Sequence, residues 1–470
     1  MSPTSSFPVL PVALALLFAG CARSEDGAPP PLGSLQFPTG IAITPEDPTV
    51  PTRLLVVSSN FDLRFRSGVL HAFDLATLDR LIEEAPPNPA CPAANPSCAP
   101  VNVPDITSAF VGAVEIGDYG GQVAVAQLAP GLQRAFVPVR GSNSVVAADL
   151  DASRLACSFG GTLCVTGGAS FPRPDPYSIV VSLGNLYVGH FSTTRISPTG
   201  GVIGTAKADA HFWSLGGGAL QTIDVGNTAI GGLAAGGCRP GADGAPICTL
   251  YASGRSMDAG NQQVFLFDFQ AGVPILGPLF SRNLAPQENG ADSRGIAVSS
   301  DAADVFLATH FPAALAVIDV TRIPSLPTDG CILPEGTVVP PGAACPELPP
   351  ATGETPRFAT ADQIPSPIGP NSVVTIPRTL PDGSPSDLVA VTTTDGIAFF
   401  DMRVGVLAGF VTGLGGTPSE LAVRPNGAGV RIYTPSFSQG TIGVVDLLEL
   451  FRPESARVVA RLGRVQEGAF

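Results

Sequence analysis

Residues 418–447 read PSELAVRPNGAGVRIYTPSFSQGTIGVVDL. Three short β-rich runs, LAVRP, VRIYTPS and TIGVVDL, are separated by turns, the first of them Pro425-Asn426-Gly427. Asn-Gly between apolar runs supplies the positive φ that a tight hairpin needs. Strands of this length with turns this close predict an antiparallel meander. The same phrase returns along the chain. It reads GIAIT, LLVVSSN, VLHAFDL over 40–75 and QVAVAQL, RAFVPVR, SVVAADL over 122–150. The third unit has YSIVVS, NLYVGHF and HFWSL, and the fourth IGGLAA, TLYASGR and QVFLFDF. The fifth has RGIAVS, DVFLATH and ALAVIDV, and the sixth NSVVTI, DLVAVTT and GIAFFDM. With 418–447 that makes seven units. A fourth strand follows in several, such as SAFVGAVEIG (108–117), LQTIDVG (220–226), VLAGFVTGLG (406–415) and VVARLG (458–463). Seven serial units of four antiparallel strands are the arithmetic of an all-β, seven-bladed β-propeller over 34–470.

Composition agrees. The 470 residues include 54 Gly and 48 Pro, with 44% apolar but only 14% charged residues. That leaves a turn every few residues, a sizeable core and little room for long helices. A net charge of −14, with Lys207 the single lysine, argues against a nucleic-acid partner, whose binders carry basic stripes.

Two units carry a family likeness. PSELAVRPNGAGVRIYTPSFSQGTIGVVDL, and SRGIAVSSDAADVFLATHFPAALAVIDV (293–320), resemble the repeat of YVTN-type propellers: P-x-x-I-A-V-x-P-D-G-x-x-x-Y-V-x-N, then a strand ending Val-x-D. The resemblance spans 37–463 and is close in units five and seven. It implies a propeller fold. Relatives of this type include lactonases, lyases, cofactor-bearing dehydrogenases and many binding or surface proteins, so function must come from the site.

The N-terminal segment reads as an address. Val9–Gly20 is an apolar run of signal-peptide length, ending Leu17-Phe18-Ala19-Gly20-Cys21. Small residues before a cysteine resemble the bacterial lipoprotein cleavage box, which implies a signal peptide over 1–20, lipid on Cys21 and, with Ala22 following, an outer-membrane anchor. An ordinary secretory signal with a chance cysteine is the alternative. Residues 21–33 are polar and Pro-rich, as a tether is. Eight further cysteines fall into close pairs: Cys91 with Cys98, Cys157 with Cys164, Cys238 with Cys248 and Cys331 with Cys345. They predict four short-loop disulfides in an oxidising compartment. Their spacing does not suit zinc, and no metal or other cofactor is expected.

Several residues are candidates for chemistry. His190 and His310 hold equivalent places at the exit of the second strand in units three and five; Asn60, Arg140 and Arg255 hold it elsewhere. Lead-ins to the first strands add Arg173, Asp175, Asp292, Arg294, Asn371 and Glu420 on the same expected face. Together they would make a polar funnel that binds a ligand, holds a metal or supplies an acid or base. Solvated loop-mouth residues are the bland alternative. Asp74, Asp149, Asp268, Asp319, Asp401 and Asp446 close the third strand in six units, and that repetition points to a structural role in the following turn. His71, His211 and Trp213 read as packing residues. The loop FDLRFRSG (61–68) interleaves aromatics with arginine, either as a partner surface or as a hairpin with buried Phe. No nucleophile elbow, P-loop or zinc-protease motif occurs. The expected role is a non-enzymatic binding or scaffold lipoprotein whose partner is an envelope protein, peptide or glycan. A lactonase- or lyase-like enzyme and a metal-bearing propeller are the alternatives.

Overall fold

The computed structural model describes residues 27–86, 101–159, 164, 175–182, 184–190, 194–196, 202–205, 209–215, 221–224, 228–240, 244–256, 262–270, 273–276, 293–310, 313–319 and 363–465. The signal segment, Cys21, Arg173 and Asp292 lie outside these residues, and so do Cys91, Cys98, Cys331 and Cys345.

The described residues are all-β apart from one α-helix and two short 3-10 turns, and they fall into seven sheets of four or five strands, in chain order. The first sheet comprises Pro38–Ile43, Arg53–Ser58, Gly68–Asp74 and Phe110–Gly117. The next five span 124–157, 176–224, 228–276, 293–365 and 373–412, and the last begins at Ala422. A separate two-stranded hairpin, Thr194–Ile196 with Val202–Thr205, lies in chain order between the second and third strands of the third sheet. Within the large sheets neighbouring strands pair antiparallel, with one exception described below.

The arrangement of the sheets follows from side-chain alternation. Arg53–Ser58 is buried along its whole length, so it is covered on both faces. Successive residues of a strand point to opposite faces. Leu55 and Val57 pack with Ala135, Val137 and Val139 of the second sheet. Leu54 and Val56 pack with Tyr433, Ile442 and Val444 of the last. The unbroken apolar run LLVV is therefore two alternating stripes, each facing a different neighbour, and the first sheet lies between the second and the last. Contacts at the inner ends follow the same succession. Thr39 Oγ1 donates to Gly120 O (2.8 Å), Gly295 N to Asn371 O (2.6 Å), Asn371 Nδ2 to Ser419 O (2.9 Å) and Ser419 Oγ to Thr39 O (3.0 Å). The approach is close enough to require glycine: a Cβ on Gly40 would sit 2.2 Å from Gly121 O, and one on Gly295 2.4 Å from Asn371 O. The result is a propeller-like fold.

An insertion in the first unit reaches across to the last sheet. Helix α1 (Leu75–Glu84) starts where Asp74 accepts a hydrogen bond from Thr77 N at 2.8 Å, as an N-cap does. Leu75, Leu78 and Ile82 form its buried face and pack in the core shared with the last sheet. Beyond it, Val101–Val103 joins that sheet as a fifth strand, parallel to Ala456–Leu462. Helix α1 and this strand thus flank the Pro-rich stretch 85–100. Residues 31–37 form no strand with the last sheet; the inserted strand takes that edge instead.

Four of the six recurring aspartates, Asp74, Asp149, Asp401 and Asp446, have a structural role with arginine partners. Asp149 takes a two-pronged bond from Arg134 across the strand (2.6 and 3.0 Å), and Asp446 takes one from Arg431 (2.6 and 2.8 Å). Arg53 pairs with Asp74 and Arg378 with Asp401. Asp74 and Asp401 also accept backbone N–H bonds from the turn that follows, as expected. Two of the four expected disulfides lie in described residues and both form, Cys157–Cys164 and Cys238–Cys248. The other two, Cys91 with Cys98 and Cys331 with Cys345, are expectations that fall outside the described residues. Cys238 and Cys248 face each other across the first two strands of the fourth sheet. Among the described residues no helix is long and apolar enough to cross a membrane.

Candidate functional site

A cavity of about 190 Å³ opens where the strand lead-ins converge. Thr39, Ser59 and Phe61 come from the first sheet, and Tyr119 to Gln122 from the link to the second. Arg140, Tyr177, Asn371, Ser419, Glu420 and Phe437 complete it from four other sheets. The volume suits one ring-sized group, since a cavity of roughly 150 Å³ accepts benzene.

The aromatic wall is a packed set. Phe61 meets Tyr119 edge-on (centroids 5.8 Å, 85°) and Phe437 edge-on (5.2 Å, 82°), and Phe437 also touches Phe37 (5.3 Å). Phe61 remains 46% exposed, so the FDLRFRSG loop presents this ring at the cavity instead of burying it. Its arginines are taken locally: Arg64 pairs with Asp62, and Arg66 with Glu115.

The polar wall centres on Glu420. Gln122 Nε2 donates to Oε1 at 2.9 Å and Ser372 Oγ to Oε2 at 3.0 Å. Gln122 is itself oriented, because its Oε1 accepts from Ile179 N at 3.2 Å. Burial pushes the Glu420 carboxyl up to about 6, against the lowering effect of these two bonds. Arg140 pairs with Asp175 and lies over the Tyr177 ring, 6.0 Å from its centroid. The two cavity serines are tied to backbone: Ser59 Oγ donates to Phe37 O and Ser419 Oγ to Thr39 O, both at 3.0 Å.

Backbone strain collects here. Phe37 (φ 48°), Asn60 (50°), Tyr119 (59°), Asn143 (51°) and Asp175 (68°) all lie in the left-handed region that side chains avoid. Tyr119 lines the cavity; Phe37, Asn143 and Asp175 bond to residues that do, and Asn60 sits between Ser59 and Phe61. Ala302 and Leu63 complete the set of seven such residues among those described. Asn and Asp tolerate this conformation, so the strain rests on Phe37 and Tyr119, both at the cavity or bonded to it.

Of the residues expected in a funnel, the structure brings Arg140, Glu420 and Asn371 to one cavity, with Asp175 behind Arg140. Asn60 braces the neighbouring loop: its Nδ2 donates to Phe65 O and Asp118 Oδ1, each at 2.7 Å. His190 is fully buried at the end of Asn185–His190, and His310 is half-buried in a turn after Asp304–Thr309; neither lines the cavity. Arg294 lies on the first strand of the fifth sheet, where its carbonyl accepts from Ser253 Oγ at 2.5 Å. Arg255 lies opposite Ala229 in the fourth sheet, and its side chain falls outside the described part. Tyr119, Tyr177, Gln122 and Phe437 line the cavity without being among the residues expected there. Their signal was position: three are at the lead-ins or starts of first strands, and Phe437 follows the exit of a second strand as the histidines do. His71 packs as expected: it is buried, its Nε2 is 2.9 Å from Ser58 Oγ, and burial pushes it down to about 4. No group of three or more His, Cys, Asp or Glu among the described residues is placed to hold a metal ion.

No family model matches this chain, and no curated protein matches it in sequence. Among solved structures it is similar to Kuenenia stuttgartiensis hydrazine synthase, with a TM-score of 0.50 at 11% identity over 90% of this chain and 97% of that one. At that identity the likeness concerns the fold alone, and it supports the propeller-like arrangement.

Proposed function

We propose that this chain is a seven-bladed, YVTN-type β-propeller lipoprotein that works as a non-enzymatic binding or scaffold module at the cell envelope, over residues 34–470, with the cavity at Glu420 as its ligand seat. The seven sheets in chain order, and the contact of the last with the first, support the blade number. The cleavage-box sequence before Cys21 supports the anchor, and the two disulfides agree with an oxidising compartment. The observation that carries the binding role is the make-up of the cavity: aromatic rings, one carboxylate and amide groups converge there, while both serines are committed to backbone oxygens and neither expected histidine reaches it. Binding sites are mostly apolar with a few placed polar groups, and this cavity has that composition.

The test is a thermal-shift screen of the full chain against cationic, neutral and anionic small molecules, repeated with Phe61→Ala and Phe437→Ala. The expected result is at least one class that raises the melting temperature of the wild type and not of the variants. A screen silent in every class removes the reading. A second reading is an acid–base enzyme, favoured by the Glu420 carboxyl near 6, a value suited to proton transfer. Turnover of lactones or uronides that disappears in Glu420→Gln would establish it over the first. The anchor is tested separately: Cys21→Ala should release the protein from membranes, and retention would sink the lipoprotein assignment.

A further inference from the structure

We infer that the cavity takes an organic cation, an ammonium or guanidinium group carried by a small amine or by a peptide side chain, seated between the Glu420 carboxylate and the aromatic rings. This rests on the reading of the cavity as a ligand seat and names its ligand.

The first argument is charge. Asp74, Asp149, Asp401 and Asp446 each have an arginine. Glu420, half-buried at the cavity, has only the amide of Gln122 and the hydroxyl of Ser372, and no ion pair among the described residues. Each of its oxygens accepts one bond, which leaves half of the carboxylate's acceptor sites open. A buried carboxylate without a counter-charge is held at a cost, and a cation arriving from outside removes that cost. Arg140, the one arginine among the described residues of the cavity wall, does not fill the need, because it is held by Asp175 and rests on Tyr177.

The second argument is the wall. Phe61 stands near 90° to both Tyr119 and Phe437, so the three rings do not simply stack on one another. Ring faces around a small volume attract cations, most strongly where water is excluded. The volume admits a trimethylammonium or guanidinium head but not a long polymer segment. An anionic ligand would meet an uncompensated carboxylate. A neutral sugar could stack on the rings but would leave the charge unbalanced.

The carboxyl pushed up to about 6 makes the binding pH-dependent. Among the described residues the other ionisable groups around the cavity are Arg140, Asp175, Asp118, Tyr119 and Tyr177. Between pH 7.5 and 5 Glu420 passes from mostly ionised to roughly one-tenth ionised, so cation affinity should fall about tenfold.

The experiment is calorimetric titration of the full chain at pH 7.5 and pH 5 with choline, agmatine, acetyl-Gly-Lys-Gly-amide and acetyl-Gly-Arg-Gly-amide. N-acetylglucosamine and succinate are the neutral and anionic controls. Binding by a cationic probe, weakened about tenfold at pH 5 and at least tenfold by Glu420→Gln, supports the inference. Whether the amines or the peptides bind more tightly identifies the source of the cation. Glu420→Gln must melt at or above the wild-type temperature for the comparison to count; if it does not, Phe61→Leu serves as the second variant, with the same expected loss. Cation binding that ignores both substitutions overturns the inference. Binding of a control probe with the cations silent also overturns it, yet leaves the binding-module reading standing. Silence from every probe removes both.

Discussion

Two enclosed carboxylates of this chain are treated in opposite ways. Asp79, on the inserted helix α1, bonds to Arg424, to Arg431 Nη1 at 2.7 Å and to the Tyr433 hydroxyl at 2.7 Å. Arg431 is held again by Asp446, and these bonds raise it above the ordinary guanidinium range. Charge, hydrogen bonds and burial are all satisfied within the protein. Glu420, on the inner side of the same last sheet, has neutral partners only and faces a cavity. The first arrangement fastens the insertion of the first unit to the last sheet. The second keeps an unbalanced charge beside open space. Among the described residues the strand-end aspartates Asp74, Asp149, Asp401 and Asp446 have arginines and Glu420 has none.

The contrast can be broken by substitution. Arg431→Met leaves Asp79 and Asp446 short of a shared cation; loss of one partner of a buried pair costs about 3–5 kcal/mol, which urea unfolding should register as the largest effect here. Acid comes next. His71, held neutral with its pKa pushed down to about 4, resists protonation while the unfolded chain takes up a proton near 6.5. The unfolded state therefore binds more protons between these values, and stability falls by about 3 kcal/mol as the pH drops from 6.5 to 4. His71→Leu should flatten that limb of the unfolding profile. Asp79→Ala should cost about 2 kcal/mol, because Arg431 keeps Asp446 and only Arg424 and Tyr433 lose their partner. Hydrogen exchange should then quicken at Val101–Val103 before it does elsewhere in that sheet.

Glu420→Gln sharpens the comparison by its sign. The folded carboxyl titrates near 6 and the unfolded one near 4.5, so the folded state binds more protons in that window and stability declines as pH rises through it. At pH 7 the substitution should stabilise by about 2 kcal/mol, with the gain absent at pH 4. A loss of stability at pH 7 would mean that Glu420 is structural after all.

Much of the fold was legible because a β-repeat writes itself in local chemistry. Apolar runs, turn residues and strand-end aspartates recur at short range, and the observed strands fall on the quoted runs. The sequence pointed to a structural Asp but not to Arg134 or Arg431 as its partner, since an arginine fifteen residues earlier carries no local mark of pairing. Helix α1 is hard to read from the sequence for a related reason: Leu75, Leu78 and Ile82 have helical spacing, but the run is only ten residues long and continues a strand. At the cavity, position in the repeat located Arg140, Asn371 and Glu420. The same rule also selected His190 and His310, which the structure places elsewhere, because strand-exit position does not say which way a side chain turns or how deep it lies.

Local chemistry along the chain sets the strands, their serial order and the pairing of Cys157 with Cys164 and of Cys238 with Cys248, beside an acidic, nearly lysine-free composition. Each of the structural features depends on residues within a few positions of one another, where turn geometry and side-chain alternation act directly. Which carboxylates have a cation, how the first unit clasps the last sheet and which rings share a cavity are settled by packing between distant segments. Glu420 and Gln122 are 298 residues apart, and Asp79 and Tyr433 are 354 apart. Contacts over such distances exist only once the sheets have packed, so their energies leave no trace in any short stretch of the chain.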